Sequence, residues 1–448
     1  MNKKRSIFIT ALAFGIPNIL QNLVVNLSQM MDNLMVGSLQ EYAIAGVTIT
    51  NQLFFIFTIT LFGIGGTAGI FIPQFKSIGN HRKMTDIFHI SLLFNLLMGA
   101  IFFLAMTVIP TPLFRIFAMD AETIANAHEY LDFIRFTFLL FPFSVAIGDA
   151  FRFSGLIKIP MYVSMMTVAL NIFFNYIFIF GNFGMPAMGV AGAGLGTLMA
   201  RIAELGIYLF LTIKIPSPVK LFKPGAFSFE KSLLIQFIQK GYGLVFNEIF
   251  WSLGMQILTV IYTRRESHNI AAMSISGSFT RLIFIGMGGM SVAFSLILGE
   301  SLGQNRFEDA KRDAGKLLKL STMLGLVLGI GVLVISYLLI DVYEVTLETR
   351  HMAERIIWVN VAFSWLYYLN SGYYFTLRSG GDTKSVLLID SGFVWVITIP
   401  LAFIIGRLDL LLPIHFLIIQ FNEVLKWAIA KKMLQKGIWL QNLTTSTP

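Results

Sequence analysis

Long stretches of this chain pass without one Asp, Glu, Lys or Arg: Ser6–Met31, Tyr42–Phe75, Ile87–Phe114, Ile159–Ala200, Leu282–Gly299, Leu320–Ile340 and Ile356–Leu377. A helix crossing a bilayer needs about 20 apolar residues in a row, whereas a membrane β-strand needs only about 10 of alternating polarity. Continuous runs of this kind predict helices. Ile159–Ala200 is too long for one of them, and Gly181-Asn182-Phe183-Gly184-Met185-Pro186 is turn chemistry that splits it. Weaker spans at about 130–151, 236–262, 385–407 and 410–433 each carry charge. The fold class expected is all-α integral membrane, with about twelve transmembrane helices of ~20 residues.

Composition excludes the main competitors. Of 448 residues, 56% are hydrophobic and 13% charged, against roughly a quarter charged in soluble domains. An ordinary cytosolic enzyme could not bury that much apolar surface in one core. The absence of cysteine removes disulfides, thiolate metal sites and thiol nucleophiles. There is no Gly-x-x-x-x-Gly-Lys-Ser/Thr phosphate loop and no His-Glu-x-x-His zinc pair, so neither ATP-driven pumping nor zinc hydrolysis has a foothold. An enzyme is not expected.

The net charge of +9 reads as topology rather than as nucleic-acid binding. With the N-terminus inside, most of the 33 basic residues fall on inner segments: Lys3, Lys4, Arg5, Arg82, Lys83 and Arg152 early, and Lys311, Arg312, Lys316, Lys426 and Lys436 late, among others. Few, such as Arg115, Arg264, Arg265, Arg350, Arg355 and Arg407, are left outside. Both termini are then cytoplasmic, as an even number of spans requires, and the location expected is the plasma or inner membrane.

A shift of 226 residues superposes the chain on itself. Tyr42-Ala43-Ile44-Ala45-Gly46-Val47-Thr48-Ile49-Thr50 falls on His268-Asn269-Ile270-Ala271-Ala272-Met273-Ser274-Ile275-Ser276, and Glu122-Thr123 on Glu348-Thr349. Arg152-x-x-Gly155-x-x-Lys158 falls on Arg378-x-x-Gly381-x-x-Lys384. Matched glycines and charges are scarce in such a composition, so a duplication of six spans is the economical account. Two copies that enter from the same face form a parallel repeat. The domains expected are an N-lobe over 1–213, an inner-face linker over 214–235, a C-lobe over 236–436 and a cytoplasmic tail over 437–448, the lobes being related by pseudo-two-fold symmetry.

Pro17-x-x-x-Gln21 leads to Met31-Asp32-Asn33-Leu34-Met35-Val36-Gly37, and Leu377-Arg378-Ser379-Gly380-Gly381-Asp382-Thr383-Lys384 follows in the second half. Together with Asn171-x-x-x-Asn175 and Gly189-x-x-Gly192-Ala193-x-x-x-Thr197, this ordered set resembles the multidrug and toxic compound extrusion (MATE) family. The resemblance implies a V-shaped antiporter that exports amphipathic, often cationic compounds against Na+ or H+ by alternating access. It also implies a cation site in the N-lobe around the Asn171, Asn175 and Thr197 region.

Asp32 lies in a long apolar span, where a carboxylate is costly unless paired, wet or protonated, and no Lys or Arg lies one turn away in sequence. Asn171 and Asn175 share one helix face. Amide carbonyls, the Thr197 hydroxyl and one carboxylate are hard oxygen donors suited to Na+ and tolerant of H+. The coupling-ion set expected is therefore Asp32, Asn171, Asn175 and Thr197, with Na+ or H+ as the ion and no other cofactor. At the 226-residue shift the asparagines become Ile397 and Leu401, so the second copy lacks that pair.

Gln21, Asn247, Glu248, Trp251, Arg281 and Asn370 are candidates for substrate contact. An acid and an amide beside an indole suit an organic cation. In one branch of the family an acid at the Glu248 position works with a second acid near Asn370-Ser371, where this chain has no carboxylate, so Glu248 stands as ion ligand, substrate ligand or cap. Arg201 and Glu204 are spaced to pair on one face. Arg281 has three open readings: snorkelling, pairing with a distant acid, or repelling small cations. The partners expected are membrane lipid and small organic cations, with no nucleic acid and no obligate protein. A lipid-linked sugar flippase, a dedicated metabolite exporter and a cation channel are the competing functions.

Overall fold

The computed structural model describes the chain except residues 1–5, 38, 40, 118, 216–218, 221–228, 264–266, 344, 409 and 446–448. Lys3, Lys4, Arg5, Arg264 and Arg265, used above for topology, lie outside the described residues, as does part of the 214–235 linker. Every regular element among the described residues is helical. The first half contains α1 (Ile7–Gly37), α2 (Glu41–Ser77), α3 (His81–Val108), short α4 (Pro110–Phe114), α5 (Ala121–Ile134), α6 (Thr137–Phe153), α7 (Lys158–Phe180) and α8 (Gly189–Lys214). The second contains α9 (Lys231–Thr263), α10 (Ser267–Gly303), α11 (Phe307–Leu339) and α12 (Leu347–Ser379). It ends with α13 (Thr383–Leu387), which continues through two π-helical turns into α14 (Ile399–Ile405), then α15 (Leu412–Gln420) and α16 (Asn422–Gln435).

Among the described residues nine helices are long and apolar enough to cross a membrane, and the α5–α6 pair, bent by 54°, makes a tenth. The pair stands where a span was expected near 130–151. Its first arm begins at Asp120, whose carboxylate accepts the Thr123 N–H at 2.7 Å. Hydrogen bonds from the Thr123 side chain and backbone hold that carboxyl below its usual range. By length, α12 and the α15–α16 pair complete twelve segments at 1.5 Å of rise per residue. Both fall short on hydropathy: the uncharged run Ile356–Leu377 of α12 is diluted by Asn360, Ser364, Asn370, Ser371 and several tyrosines, and the other pair carries Glu423 and Lys426.

The 226-residue repeat is visible in the helix boundaries. α2, α3 and α5 begin at 41, 81 and 121, and α10, α11 and α12 at 267, 307 and 347. α2 ends at 77 and α10 at 303, and α6 and α12 end at 153 and 379. Gly155 and Gly381 both take positive φ, 86° and 77°, so the two copies turn out of these helices with the same left-handed residue.

The chain divides into two compact units: Leu20–Gln239, and Lys240–Pro448 with Met1–Ile19. The first is built on the packing of α2 with α3, α5 and α6, and of α7 with α8. Its apolar centre includes Phe57, Phe71, Phe138 and Phe151, all at most 2% exposed. Phe57 and Phe138 meet edge to face at 4.9 Å between centroids, a favoured aromatic geometry. The second unit is built on α10, α11 and α12, with Tyr368 fully buried and its hydroxyl donating to the Ile283 carbonyl at 2.6 Å.

Candidate functional site

Within the Leu20–Gln239 unit, α1, α7 and α8 enclose a cavity of about 100 Å³. Polar groups line it: Ser28, Asp32, Asn171, Thr197, Arg201 and Glu204. Asparagines at 171 and 175 project from one face of α7, as the four-residue spacing demands. Asn175 donates its amide N–H to Asp32 Oδ1 at 2.7 Å, and Asn171 donates to the Thr197 hydroxyl at 3.3 Å. Ser28 in turn donates to Asn171 Oδ1 at 3.3 Å. The four residues named from the sequence as an ion set thus form two hydrogen-bonded pairs, Asp32–Asn175 and Asn171–Thr197, of which Asp32, Asn171 and Thr197 line one cavity.

Gly196 permits this closeness. A Cβ there would collide with the Asn175 side chain and backbone, so only glycine lets α8 approach α7 at the asparagine. Asn175 is almost wholly buried, yet its Oδ1 accepts no hydrogen bond in the described structure. A buried acceptor without a donor is costly, and this oxygen faces Gly196, Asn175 not being among the residues that line the cavity. The donor set is one carboxylate with amide and hydroxyl oxygens, and among the described residues no three His, Asp or Glu gather as a polyvalent-metal site would need. Such a set fits a monovalent cation or a proton.

Size points the same way. Pockets for drug-sized molecules are typically about 300–1,000 Å³, whereas ~100 Å³ holds several waters or a hydrated small ion.

The absence of a basic residue near Asp32, true along the sequence, does not hold in space. Arg201 lines the same cavity. It is engaged elsewhere: its Nη1 pairs with Glu204 Oε2 at 2.7 Å and its guanidinium lies 4.4 Å from the Phe141 ring centroid. Two acids and one base leave the lining one negative charge in excess. Local sequence could give the Arg201–Glu204 pair but not its place beside Asp32, because α1 and α8 are far apart along the chain. Tyr130 was missed for the same reason; it is buried on α5 and hydrogen-bonds Thr197.

Gln21 sits beside the cavity. It donates to Ser164 Oγ at 2.7 Å and accepts from Arg152 Nη2 at 3.2 Å, while Arg152 also pairs with Asp149. Arg152, counted above among the inner-segment charges, is thus tied into this network.

The other substrate candidates belong to the Lys240–Pro448 unit. Asn247 donates to Asp390 Oδ2 at 3.0 Å and takes the Ser391 hydroxyl at 2.8 Å. Glu248 accepts from the Tyr374 hydroxyl at 3.1 Å, while Trp251, expected beside it, leaves its side chain partly exposed. Asn370 corrects the expectation that its surroundings lack a carboxylate: it donates to Glu423 Oε2 at 2.7 Å, a residue distant in sequence. Lys426, placed above among inner-face charges, forms an ion pair with Asp390 at 2.7 Å, both side chains under a fifth exposed. Arg281 is exposed on α10 and donates to Ser278 Oγ at 3.3 Å, which leaves its three readings open.

Helices long and apolar enough to cross a membrane, around an ion-sized polar cavity, are those of a multi-pass membrane protein. The MatE family model matches residues 17–177 and 244–404, one match in each copy of the repeat. The chain belongs to the MATE family of multidrug efflux transporters. It is 24% identical over 397 residues to "Probable multidrug resistance protein NorM" of Thermotoga maritima, covering 88% of this chain and 84% of that one. It is 23% identical over 411 residues to "Probable multidrug resistance protein YoeA" of Bacillus subtilis, covering 90% and 88%. Among solved structures, a MATE protein in complex with MaL6 matches with a TM-score of 0.88 at 16% identity, over 97% of both chains. A MOP superfamily transporter from Pyrococcus furiosus matches with a TM-score of 0.86 at 17% identity, over 96% of this chain and 97% of that one. At such identities these two establish the fold.

Proposed function

We propose that the protein is a secondary antiporter that exports amphipathic organic cations in exchange for an inward Na+ or H+, with the exchange centred on Asp32. The observation that carries the reading is the Asp32 cavity, ion-sized and one charge negative, with Asp32 held by the Asn175 amide. The names of the NorM and YoeA relatives supply the class of cargo. Antiport requires that cation and substrate favour opposite states, since a ligand with equal affinity for both shifts nothing. A carboxylate meets that need because it binds a cation when charged and stores a proton when neutral. The protein works in the cell membrane with both termini on the cytoplasmic side, as the distribution of Lys and Arg supports.

Reconstituted protein tests this with Na+ and pH gradients imposed separately. Uphill movement of a fluorescent organic cation is expected under one of the two. Substrate movement that ignores both gradients, or ion current without substrate, would overturn antiport and favour the channel.

A further inference from the structure

The repeat places the cavity of the first unit in register with a different chemistry in the second. Shifted by 226, the lining residues Ser164, Thr197 and Ala200 become Asp390, Glu423 and Lys426, and Gln21 becomes Asn247. The register holds in contacts as well as in sequence. Gln21 donates to Ser164 in the first unit, and Asn247 donates to Asp390 in the second. Where the first unit has the small Ala200 side chain at an open cavity, the second has a lysine whose Nζ lies 2.7 Å from Asp390 Oδ1. Glu423, one helical turn before Lys426, is held by the Asn370 amide at 2.7 Å. The first unit's own acid is absent from this copy, since Asp32 becomes Leu258.

We infer that Lys426 is a tethered counter-cation, whose ammonium occupies in the second unit the role that a mobile monovalent cation takes in the first. The comparison with the first unit rests on the function proposed above; the claim about the second unit rests on its own residues. Asp390 and Glu423, with the Asn247 and Asn370 amides, form a latent cation site that the lysine keeps closed. The Asn370 carbonyl oxygen is buried and accepts no hydrogen bond in the described structure, the same condition as Asn175 Oδ1. Glu248 is a further charged group near Asp390, and Arg378 lies near Glu248 in turn. One consequence is a single exchangeable cation site per chain, although the fold is duplicated.

The test uses the full-length protein in detergent, in an Asp32→Asn background that silences the first unit. Thermal unfolding is followed against NaCl at fixed pH with choline replacing Na+, and against pH without Na+. With Lys426 present, the background variant is expected to be flat in Na+. Adding Lys426→Met opens the site, and Tm is then expected to climb by roughly 2 °C per tenfold rise in Na+ or H+. The two arms separate the metal ion from the proton as occupant. Adding Asp390→Asn to that variant should abolish the dependence.

A Lys426→Met protein flat in both arms, or one whose dependence survives Asp390→Asn, would overturn the inference. If Lys426→Met does not fold, Lys426→Ala is purified with ethylammonium or with choline. Recovery with ethylammonium alone supports a cation role, and no recovery with either overturns it. A background variant that keeps the Na+ response of the wild type would instead sink the Asp32 reading, leaving the comparison between Lys426 and Met intact.

Discussion

Asp32→Asn is expected to abolish gradient-driven efflux in proteoliposomes while leaving a folded protein. The replacement amide retains an oxygen to accept the Asn175 N–H, now made at 2.7 Å, so the α1–α7 contact survives. What is lost is the charge. An amide neither titrates nor attracts Na+ strongly, and the two ligands can then no longer bias opposite states. Substrate should still equilibrate downhill if the binding region is intact, so uncoupled flux is the signature to measure. Uphill efflux at the wild-type rate would contradict the assignment. Monodisperse elution and an unchanged melting curve in choline at neutral pH control for misfolding.

Arg201→Ala is expected to give the largest loss of stability of any single change in this cavity. The Glu204 side chain is only 7% exposed, and its partner at 2.7 Å would be gone. Removing one member of a buried pair typically costs about 3–5 kcal/mol, because the remaining charge stays desolvated. Here the penalty is compounded, since Asp32 and Glu204 would share a cavity of about 100 Å³ without a counter-charge. The double variant Arg201→Ala/Glu204→Gln should recover most of the loss, as it leaves only the Asp32 charge. Arg201→Lys should recover part, because an ammonium keeps the charge but not the planar contact with Phe141. Thermal unfolding of the three variants checks this, and an Arg201→Ala protein that melts with the wild type would refute it.

The helical, duplicated architecture was legible in the residues because its signals are local or strictly periodic. Uncharged runs mark the spans, and the 226-residue shift recurs in the helix starts at 41 and 267, 81 and 307, and 121 and 347. The bend between α5 and α6 was not legible, since hydropathy reports apolar length and not direction. The same divide runs through the polar groups. Asn171 and Asn175 stand out by helical spacing, and Asp32 by its cost in an apolar run. Arg201 beside Asp32, Glu423 on Asn370 and Lys426 on Asp390 bring together residues from separate helices, which no window along the sequence can pair. Lys426 counted in sequence only as one more inner-face charge, because its partner Asp390 lies 36 residues away.

The most direct test is whether substrate expels a cation from the first unit. Purified protein in weakly buffered detergent is mixed with an organic cation substrate, and proton release or Na+ displacement is recorded. Linkage requires that a substrate opposed to the coupling ion lower that ion's occupancy. The wild type should release one cation species in proportion to substrate bound, with Asp32→Asn releasing none. Equal release from both proteins would contradict the assignment of Asp32 as the exchange site.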